Sequence, residues 1–530
     1  MTLSIIPLPQ KAVLTEGVFR LGIHTQIITD QSALPEGQYL ANRLCSAVGS
    51  VLSVQAAVPH SASNVEMRID PGEKALGKEG YRLSVTEQGA VIHAAARPGL
   101  FYGIQTLLQM LPAPLDNLAG GNRECFLPCA EIEDHPRFAW RGALLDVSRH
   151  FLPKEFIFKF IDLLAMHKMN ILHLHLTDDQ GWRIEIKKYP RLTSVGAMRA
   201  ETLVGRALDN PADDDFDPDS QCFDGVAHGG FYTQEQAREI VAYATTRHVT
   251  VVPEIEMPGH AQAAIAAYPF LGCADEPLQV SPRWGIHDVL YQPNERTFEF
   301  LRDVLTEVME IFPSPFIHVG GDEAVKTQWR NSRECQALQL ELKLRDEEAM
   351  QSYFIGRMGE TLARHGRVLV GWDEILEGGL SPGAIVMSWR GEQGGITAAQ
   401  QGHDVVMAPE QSTYFDHYQS ENRASEPLAF SELLTLPTVY AYEPIPAAMP
   451  PEHEHHVLGA QGQLWSEYMP SAEQVEYMAF PRLSALSEVT WTNRENKNYD
   501  SFINRLRAHL VRLDTLNVHY RPLSFSVEVQ

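Results

Sequence analysis

At 530 residues the chain exceeds one ordinary hydrophobic core, which predicts at least two domains, one of them able to be a large α/β barrel. Its 44% hydrophobic and 21% charged content is that of a soluble globular protein, and no apolar run approaches the roughly eighteen residues that span a bilayer. A formal charge of −25 opposes nucleic acid and anionic membranes as partners and points to a neutral or cationic substrate.

The opening stretch Met1 to Pro9 has no basic segment ahead of a long apolar run, so the expectation is a cytoplasmic protein, or one whose leader has been removed. Through the first ~130 residues, alternating runs at 65–70, 81–86 and 91–95 predict strands of a half-covered antiparallel sheet. Two helices should cover one of its faces. One lies at about 35–48, and the other follows Pro98, where Leu100, Ile104, Leu107, Leu108 and Leu111 recur at helical spacing. Residues 72–78 imitate a phosphate-binding loop, but Glu79 stands where Ser or Thr is required and a strand follows instead of a helix. Six cysteines are too sparse for a disulfide framework, and buried thiols are the default. A Pro/Gly-rich stretch at 111–128 ends this pattern and a different periodicity starts near Phe138. The chain is therefore divided into an α+β domain at 1–135 and a catalytic domain with C-terminal helices at 136–530.

From Leu144 onward strand-like and helix-like runs alternate, the pattern of βα units. Eight strands are expected at 144–147, 171–176, 250–256, 316–323, 367–373, 384–390, 404–409 and 457–465, which favours a closed (β/α)8 barrel. Thr233, with Gln236 three residues on, caps a helix running to His248, and apolar stripes predict helices at 297–312 and 347–365. The connection at 177–232 is far longer than a usual βα loop and should shape an active-site rim, its acidic run Asp213 to Asp217 being a solvated face.

In such a barrel the C-terminal strand ends converge on one mouth. Those ends carry Arg149, Asp178 and Asp179, Glu256 and His260, Asp322 and Glu323, Trp372, Asp373 and Glu374, Trp389 and Arg390, Tyr414 and Asp416, and Trp465 and Glu467. Singly, each reads as a core tryptophan, a surface acid or an acid at a helix N-terminus. Together they describe a pocket whose indole rings suit the apolar faces of a sugar and whose charged groups suit its hydroxyls. Paired acids then suggest cleavage of a glycosidic bond. Glu323 as general acid would have to hold a proton near neutral pH, a demand that burial and neighbouring Asp322 would help to meet. Adjacent side chains on an extended strand point to opposite faces, so the two acids should serve different atoms.

Four blocks in order, Arg141 to Phe151 (RGALLDVSRHF), His173 to Arg183 (HLHLTDDQGWR), Pro253 to His260 (PEIEMPGH) and His318 to Glu323 (HVGGDE), resemble the signatures of glycoside hydrolase family 20, the β-N-acetylhexosaminidases. The resemblance spans both domains. It implies a substrate-assisted retaining mechanism in which the sugar's own acetamido oxygen attacks the anomeric carbon. Under it, Glu323 is the acid/base, Asp322 orients the acetamido group and Tyr414 bonds its carbonyl. Asp178 and His260 tune the acid/base, Trp372, Trp389 and Trp465 wall the sugar, and Arg149, Asp416 and Glu467 hold its hydroxyls. Glu256 departs from the family, many members of which carry aspartate there. No cofactor or metal is implied; the partner is an N-acetylhexosamine-terminated oligosaccharide or glycoconjugate, and a homodimer is compatible with a barrel's helical exterior.

Two other readings compete. His173 and His175 have the spacing of a metal-dependent barrel amidohydrolase, although no matching lysine and histidine set follows at later strand ends. A non-catalytic carbohydrate-binding protein would need no proton donor at Glu323. The cluster His453 to His456 lacks zinc-protease spacing and reads as a solvated loop.

Overall fold

Alternation of apolar residues gives the first domain one oily sheet face and one polar one. The computed structural model describes residues 3–56, 64–112, 125–206, 221–273 and 277–523; the acidic run at 213–217 lies outside them. The sheet holds β1 (Lys11–Leu21), β2 (Gln26–Thr29), β3 (Val54–Gln55), β4 (Asn64–Ile69), β5 (Tyr81–Thr86), β6 (Gly89–Ala94) and β7 (Cys125–Asp134), in the order β1-β7-β5-β6-β4-β2-β3. Tyr81, Leu83 and Val85 of β5 and Ala90, Ile92 and Ala94 of β6 are buried in one core with α1 (Leu34–Val48) and α2 (Arg97–Met110). Both helices thus cover one face, as the spacing predicts.

The sheet is mixed, however, and not antiparallel throughout: β1, β7, β5 and β6 pair antiparallel, whereas β6, β4, β2 and β3 pair parallel. Helix α1 supplies the crossover from β2 to β3 that parallel neighbours require, and a tight turn joins β5 to β6. A period of two in the sequence is common to both pairings, so alternation alone could not separate them.

Asp134, at the end of β7, ties this domain to the next. It accepts hydrogen bonds from Tyr81 Oη at 2.6 Å, Lys168 Nζ at 2.7 Å and Trp491 Nε1 at 2.9 Å, all of them buried. Beside it the buried Arg141 guanidinium grips Glu79 in bidentate fashion, at 3.0 and 2.8 Å.

The second domain is a closed parallel barrel of β8 (Trp140–Asp146), β9 (Ile171–His175), β10 (Thr250–Glu254), β11 (Phe316–His318), β12 (Val368–Trp372), β13 (Ile385–Ser388), β14 (Val405–Met407) and β15 (Val457–Leu464). Its strands occupy the eight segments read from the sequence. Outside them lie α3 (Lys154–Met166), α4 (Gln234–Thr245), α5 (Glu295–Ile311), α6 (Glu347–Arg364), α7 (Gln393–Gln400) and α8 (Arg482–Trp491), with α9 (Tyr499–Thr515) after them in the chain. Helix α4 opens with the expected reciprocal cap: Gln236 N donates to Thr233 Oγ1 at 3.2 Å, and Thr233 N to Gln236 Oε1 at 3.0 Å. The barrel interior holds an apolar layer including Leu144, Val252, Val370, Trp372 and Met387. Buried polar groups at His173, His175, Glu254, His318, Gln461 and Gln463 share that interior.

One boundary moves with consequence. Strand β11 stops at His318, five residues before the expected end. Gly320, Gly321 and Glu323 then take φ of +65°, +93° and +47°, the left-handed region that side chains rarely adopt.

Candidate active site

A cavity of about 770 Å³ opens at the C-terminal ends of the barrel strands, and all eleven residues to which the family resemblance gives a role line it, whereas Asp179, Glu256, Asp373, Glu374 and Arg390 do not. Every strand contributes. Arg149 follows β8, Asp178 follows β9, His260 follows β10, and Asp322 and Glu323 follow β11; Trp372 ends β12, Trp389 follows β13, Tyr414 and Asp416 follow β14, and Trp465 and Glu467 follow β15.

The left-handed turn aims the acid pair. A Cβ at Gly320 would overlap the carboxyl of Glu256, and one at Gly321 would lie 2.5 Å from Ile375 Cγ2, so both positions require glycine on space as well as on φ. The two acids do not diverge as residues of an extended strand would. Asp322 Oδ2 and Glu323 Oε2 approach the same atom, His260 Nε2, at 3.5 and 3.4 Å. The reason is the turn: with β11 ended and Glu323 left-handed, strand alternation no longer applies. His260 is itself left-handed, at φ +49°, and such conformations persist where surrounding structure over-determines them.

Behind His260 stands Asp178, its Oδ1 3.2 Å from His260 Nδ1, with Asp179 Oδ2 at 3.3 Å. Burial works against a charged imidazole, but Asp178, Asp179 and Asp322 outweigh it and hold the His260 pKa well above the usual value. Burial likewise opposes ionisation of Asp178, yet Arg149 and His260 keep it well below the carboxylate range. Glu256 lies beneath the turn, fully buried, with neither carboxyl oxygen hydrogen-bonded. Burial first, then the charges of Asp322 and Glu254, push its pKa well up.

Across the cavity, Arg149 faces three carboxylates: Asp178 at 2.9 Å, Asp146 at 3.2 Å and Glu467 at 3.6 Å, with its plane 5.2 Å over the Trp465 ring. Burial, against Arg149, raises the Glu467 carboxyl to about 7. Burial and Glu467 push Asp416 well above its ordinary value. Among the described residues, Asp322 Oδ1, Asp416 Oδ1 and Glu467 Oε2 are buried with no hydrogen-bond partner, which leaves acceptors open on both sides of the pocket.

Aromatic rings close the remaining walls. Trp389 stacks on Tyr414 at 6.1 Å, and Trp465 lies 5.7 Å from Trp372 and 6.4 Å from Tyr414. Their polar edges are fixed: Trp372 Nε1 donates to Glu254 at 3.0 Å and Trp389 Nε1 to Glu374 at 2.9 Å. Burial keeps the Tyr414 phenol protonated far past its usual pKa, so it stays a hydrogen-bond donor.

Sequence reasoning passes over Asp146 and Glu254, reads His175 only as half of a metal spacing with His173, and does not assign Glu374 a partner. The first three stand at or near strand ends inside the quoted blocks, and the strand-end criterion could have found them. Trp284, Ile286, His287 and Asp288, which line the outer cavity, come from a stretch with no periodicity to read.

Among the described residues, four sets of donors lie close enough together for one ion: His173, Glu254 and His318, and His175, Glu254 and Glu256, within the barrel; Asp178, Asp179 and His260, and His260, Asp322 and Glu323, at the cavity. In the first, Glu254 already meets His318 Nδ1 at 2.7 Å and His173 Nε2 at 3.2 Å, and neither imidazole lines the cavity. The His173/His175 spacing that suggested a metal hydrolase therefore has another physical account, since both rings pack around a buried carboxylate.

Residues 138–494 match the profile described as glycosyl hydrolase family 20, catalytic domain, and residues 2–135 match that family's domain 2. A curated relative, the beta-hexosaminidase of Porphyromonas gingivalis, is 43% identical over 523 residues, 98% of this chain and 64% of that protein. The chain thus spans a little under two thirds of that relative's length. The beta-hexosaminidase of Vibrio furnissii is 36% identical, covering 92% of this chain and 76% of its own. Among solved structures, the exo β-N-acetylglucosaminidase from Vibrio harveyi in complex with N-acetylglucosamine superposes with a TM-score of 0.85 at 30% identity, covering 98% and 78% of the two chains. The β-N-acetylhexosaminidase from Streptomyces coelicolor A3(2) gives 0.84 at 30% identity, over 100% and 99%.

Proposed function

The chain belongs to glycosyl hydrolase family 20, and from that premise we propose that it is an exo-acting β-N-acetylhexosaminidase, removing terminal non-reducing β-linked N-acetylglucosamine or N-acetylgalactosamine with retention. The observation that carries this reading is the joint placement, in one walled cavity, of a paired acid and a phenol that keeps its proton. That set serves a substrate bearing its own nucleophile.

The reaction runs in two steps. Glu323 gives its proton to the glycosidic oxygen while the substrate's acetamido oxygen attacks the anomeric carbon, so the aglycone leaves and an oxazolinium ring closes within the sugar. Asp322 accepts from the acetamido N–H and offsets the positive charge of that ring, and Tyr414 directs the acetamido oxygen by hydrogen bonding. Glu323, now ionised, takes a proton from water as the water attacks the same carbon, and the β configuration is restored. His260, between Glu323 and Asp178, lies where it can steady the acid/base through both ionisation states. Trp372, Trp389 and Trp465 exclude water from the ring's apolar faces, while Arg149, Asp416 and Glu467 hold its hydroxyls.

The test is release of nitrophenol from an aryl N-acetyl-β-glucosaminide beside the matching β-glucoside, each with and without chelator. The proposal expects rapid release from the first, little from the second and no effect of chelation. Equal rates on both sugars would sink the substrate-assisted mechanism, loss in EDTA with recovery on zinc would favour the metal reading, and binding of the sugar without release would favour a lectin-like protein.

A further inference from the structure

Glu254 sits at the end of β10 with no solvent exposure, and its two oxygens serve two arms of the site. Through Oε1 it accepts the Trp372 indole N–H at 3.0 Å, fixing an aromatic wall of the cavity. Through Oε2 it meets His175 Nδ1 in a short contact. His175 Nε2 in turn donates to Asp178 Oδ2 at 2.9 Å, and Asp178 Oδ1 faces His260 Nδ1 at 3.2 Å. His260 Nε2 then reaches Glu323 at 3.4 Å. Carboxylate and imidazole alternate along the whole line, from the sealed barrel interior to the open cavity.

We propose that Glu254 and His175 are positioning residues for the acid/base: the Glu254 carboxylate keeps a proton on both nitrogens of His175, and that doubly donating ring holds Asp178 against His260. The inference rests on the function proposed above. Its physical core is that buried carboxylates are stable only when balanced and hydrogen-bonded. Asp178 receives His175 and Arg149 on one oxygen and Asp179 N at 2.6 Å on the other, which leaves its second oxygen aimed at His260. Without a donor at His175 it has only Arg149 on that side, and the line to Glu323 loosens.

Carboxylates outnumber cations among the groups facing His175. Asp146 comes from β8, Glu254 and, at 4.0 Å, Glu256 from β10, and Asp178 from the loop after β9; on the opposing side stand the His173 imidazole on β9 and the Arg149 guanidinium, which shares Asp178 Oδ2 with His175, and the Trp465 ring lies edge-on at 4.9 Å. Burial works against the charged ring, but Glu254, Asp178 and Asp146 overcome it and carry its pKa to about 10.

Two variants of the full chain, Glu254→Gln and His175→Gln, test this, with the protonation of His175 read from imidazole ¹⁵N shifts in the wild-type protein. For both variants, kcat/KM on a phenyl N-acetyl-β-glucosaminide, a poor leaving group, should fall by about tenfold or more, and on a dinitrophenyl one by no more than about threefold, within the range of general-acid effects. The alkaline limb of the pH profile should move to lower pH, and Glu254→Asp should recover part of both changes. The ¹⁵N spectrum should show His175 doubly protonated at neutral pH. Equal losses on both leaving groups with an unmoved alkaline limb would overturn the proposal, as would a neutral His175 in the wild-type spectrum. If the variants fail to fold, the ¹⁵N result still decides. A wild-type chain inactive on both glycosides would refute the hexosaminidase reading itself, whereas the spectrum tests the proton on His175 independently of activity.

Discussion

Gly320→Ala probes the turn that converts a barrel strand into a reactive acid pair. Gly320 has φ +65°, where a non-glycine residue costs about 1–2 kcal/mol. Its new Cβ would overlap the Glu256 carboxyl, a fully buried side chain, and overpacking of that kind costs about 1–3 kcal/mol. The variant should therefore lose about 2–5 kcal/mol of stability, and activity with it, because the same turn sets Asp322 and Glu323 against His260. Urea unfolding of wild type, Gly320→Ala, Glu256→Asp and the double variant separates the two causes. The shorter acid withdraws from the new methyl, so the double variant should recover the steric part and keep the backbone part, a coupling of about 1–3 kcal/mol. Wild-type stability in Gly320→Ala, or strict additivity in the double variant, would refute the reasoning.

Four further outcomes follow from the site. Glu323→Gln should cost about 10²–10⁴ in kcat/KM for phenyl glycosides and far less for dinitrophenyl ones; an equal loss on both would remove Glu323 as the general acid. Glu467 titrates at about 7 and must be ionised to accept from sugar hydroxyls, so KM should rise as pH falls from 8 to 6, a dependence that Glu467→Gln should flatten. Arg149→Met leaves Asp146, Asp178 and Glu467 without their shared cation and should cost about 3–5 kcal/mol by thermal or urea melting, with a raised KM. His167, buried between α3 and the C-terminal helices, has its pKa lowered by burial to about 4. It is neutral when folded and takes up a proton when unfolded below ~6.5, so stability should fall between pH 6.5 and 4, by on the order of 3 kcal/mol from this group, and His167→Gln should flatten that limb.

The barrel was legible because βα units write a local pattern: short apolar runs for β8 to β15, caps such as Thr233 with Gln236, and reactive residues at one end of each strand. The pocket was legible by the same logic, since convergence of strand ends follows from closure alone. What stayed hidden depends on backbone handedness or on distant pairing. Two glycines before Asp322 announce freedom without saying that Glu323 too would turn left-handed, so the two acids were expected to diverge. Alternating strands in the first domain do not disclose that β4 and β6 run parallel. Glu254 looks like one more apolar-strand acid until the closed barrel gathers His173, His175, His318 and Trp372 around it, residues from three other strands. The His173/His175 spacing resembles a metal pattern for the same reason.

The central claim is that the sugar supplies its own nucleophile. A series of aryl glucosaminides whose N-acyl group carries zero, one, two and three fluorines tests it most directly, because fluorine weakens the carbonyl oxygen as a nucleophile while barely changing the leaving group. The account predicts a steep, progressive fall in kcat/KM along the series. A rate indifferent to fluorination, or trapping of a sugar covalently on a carboxylate of the protein, would contradict it.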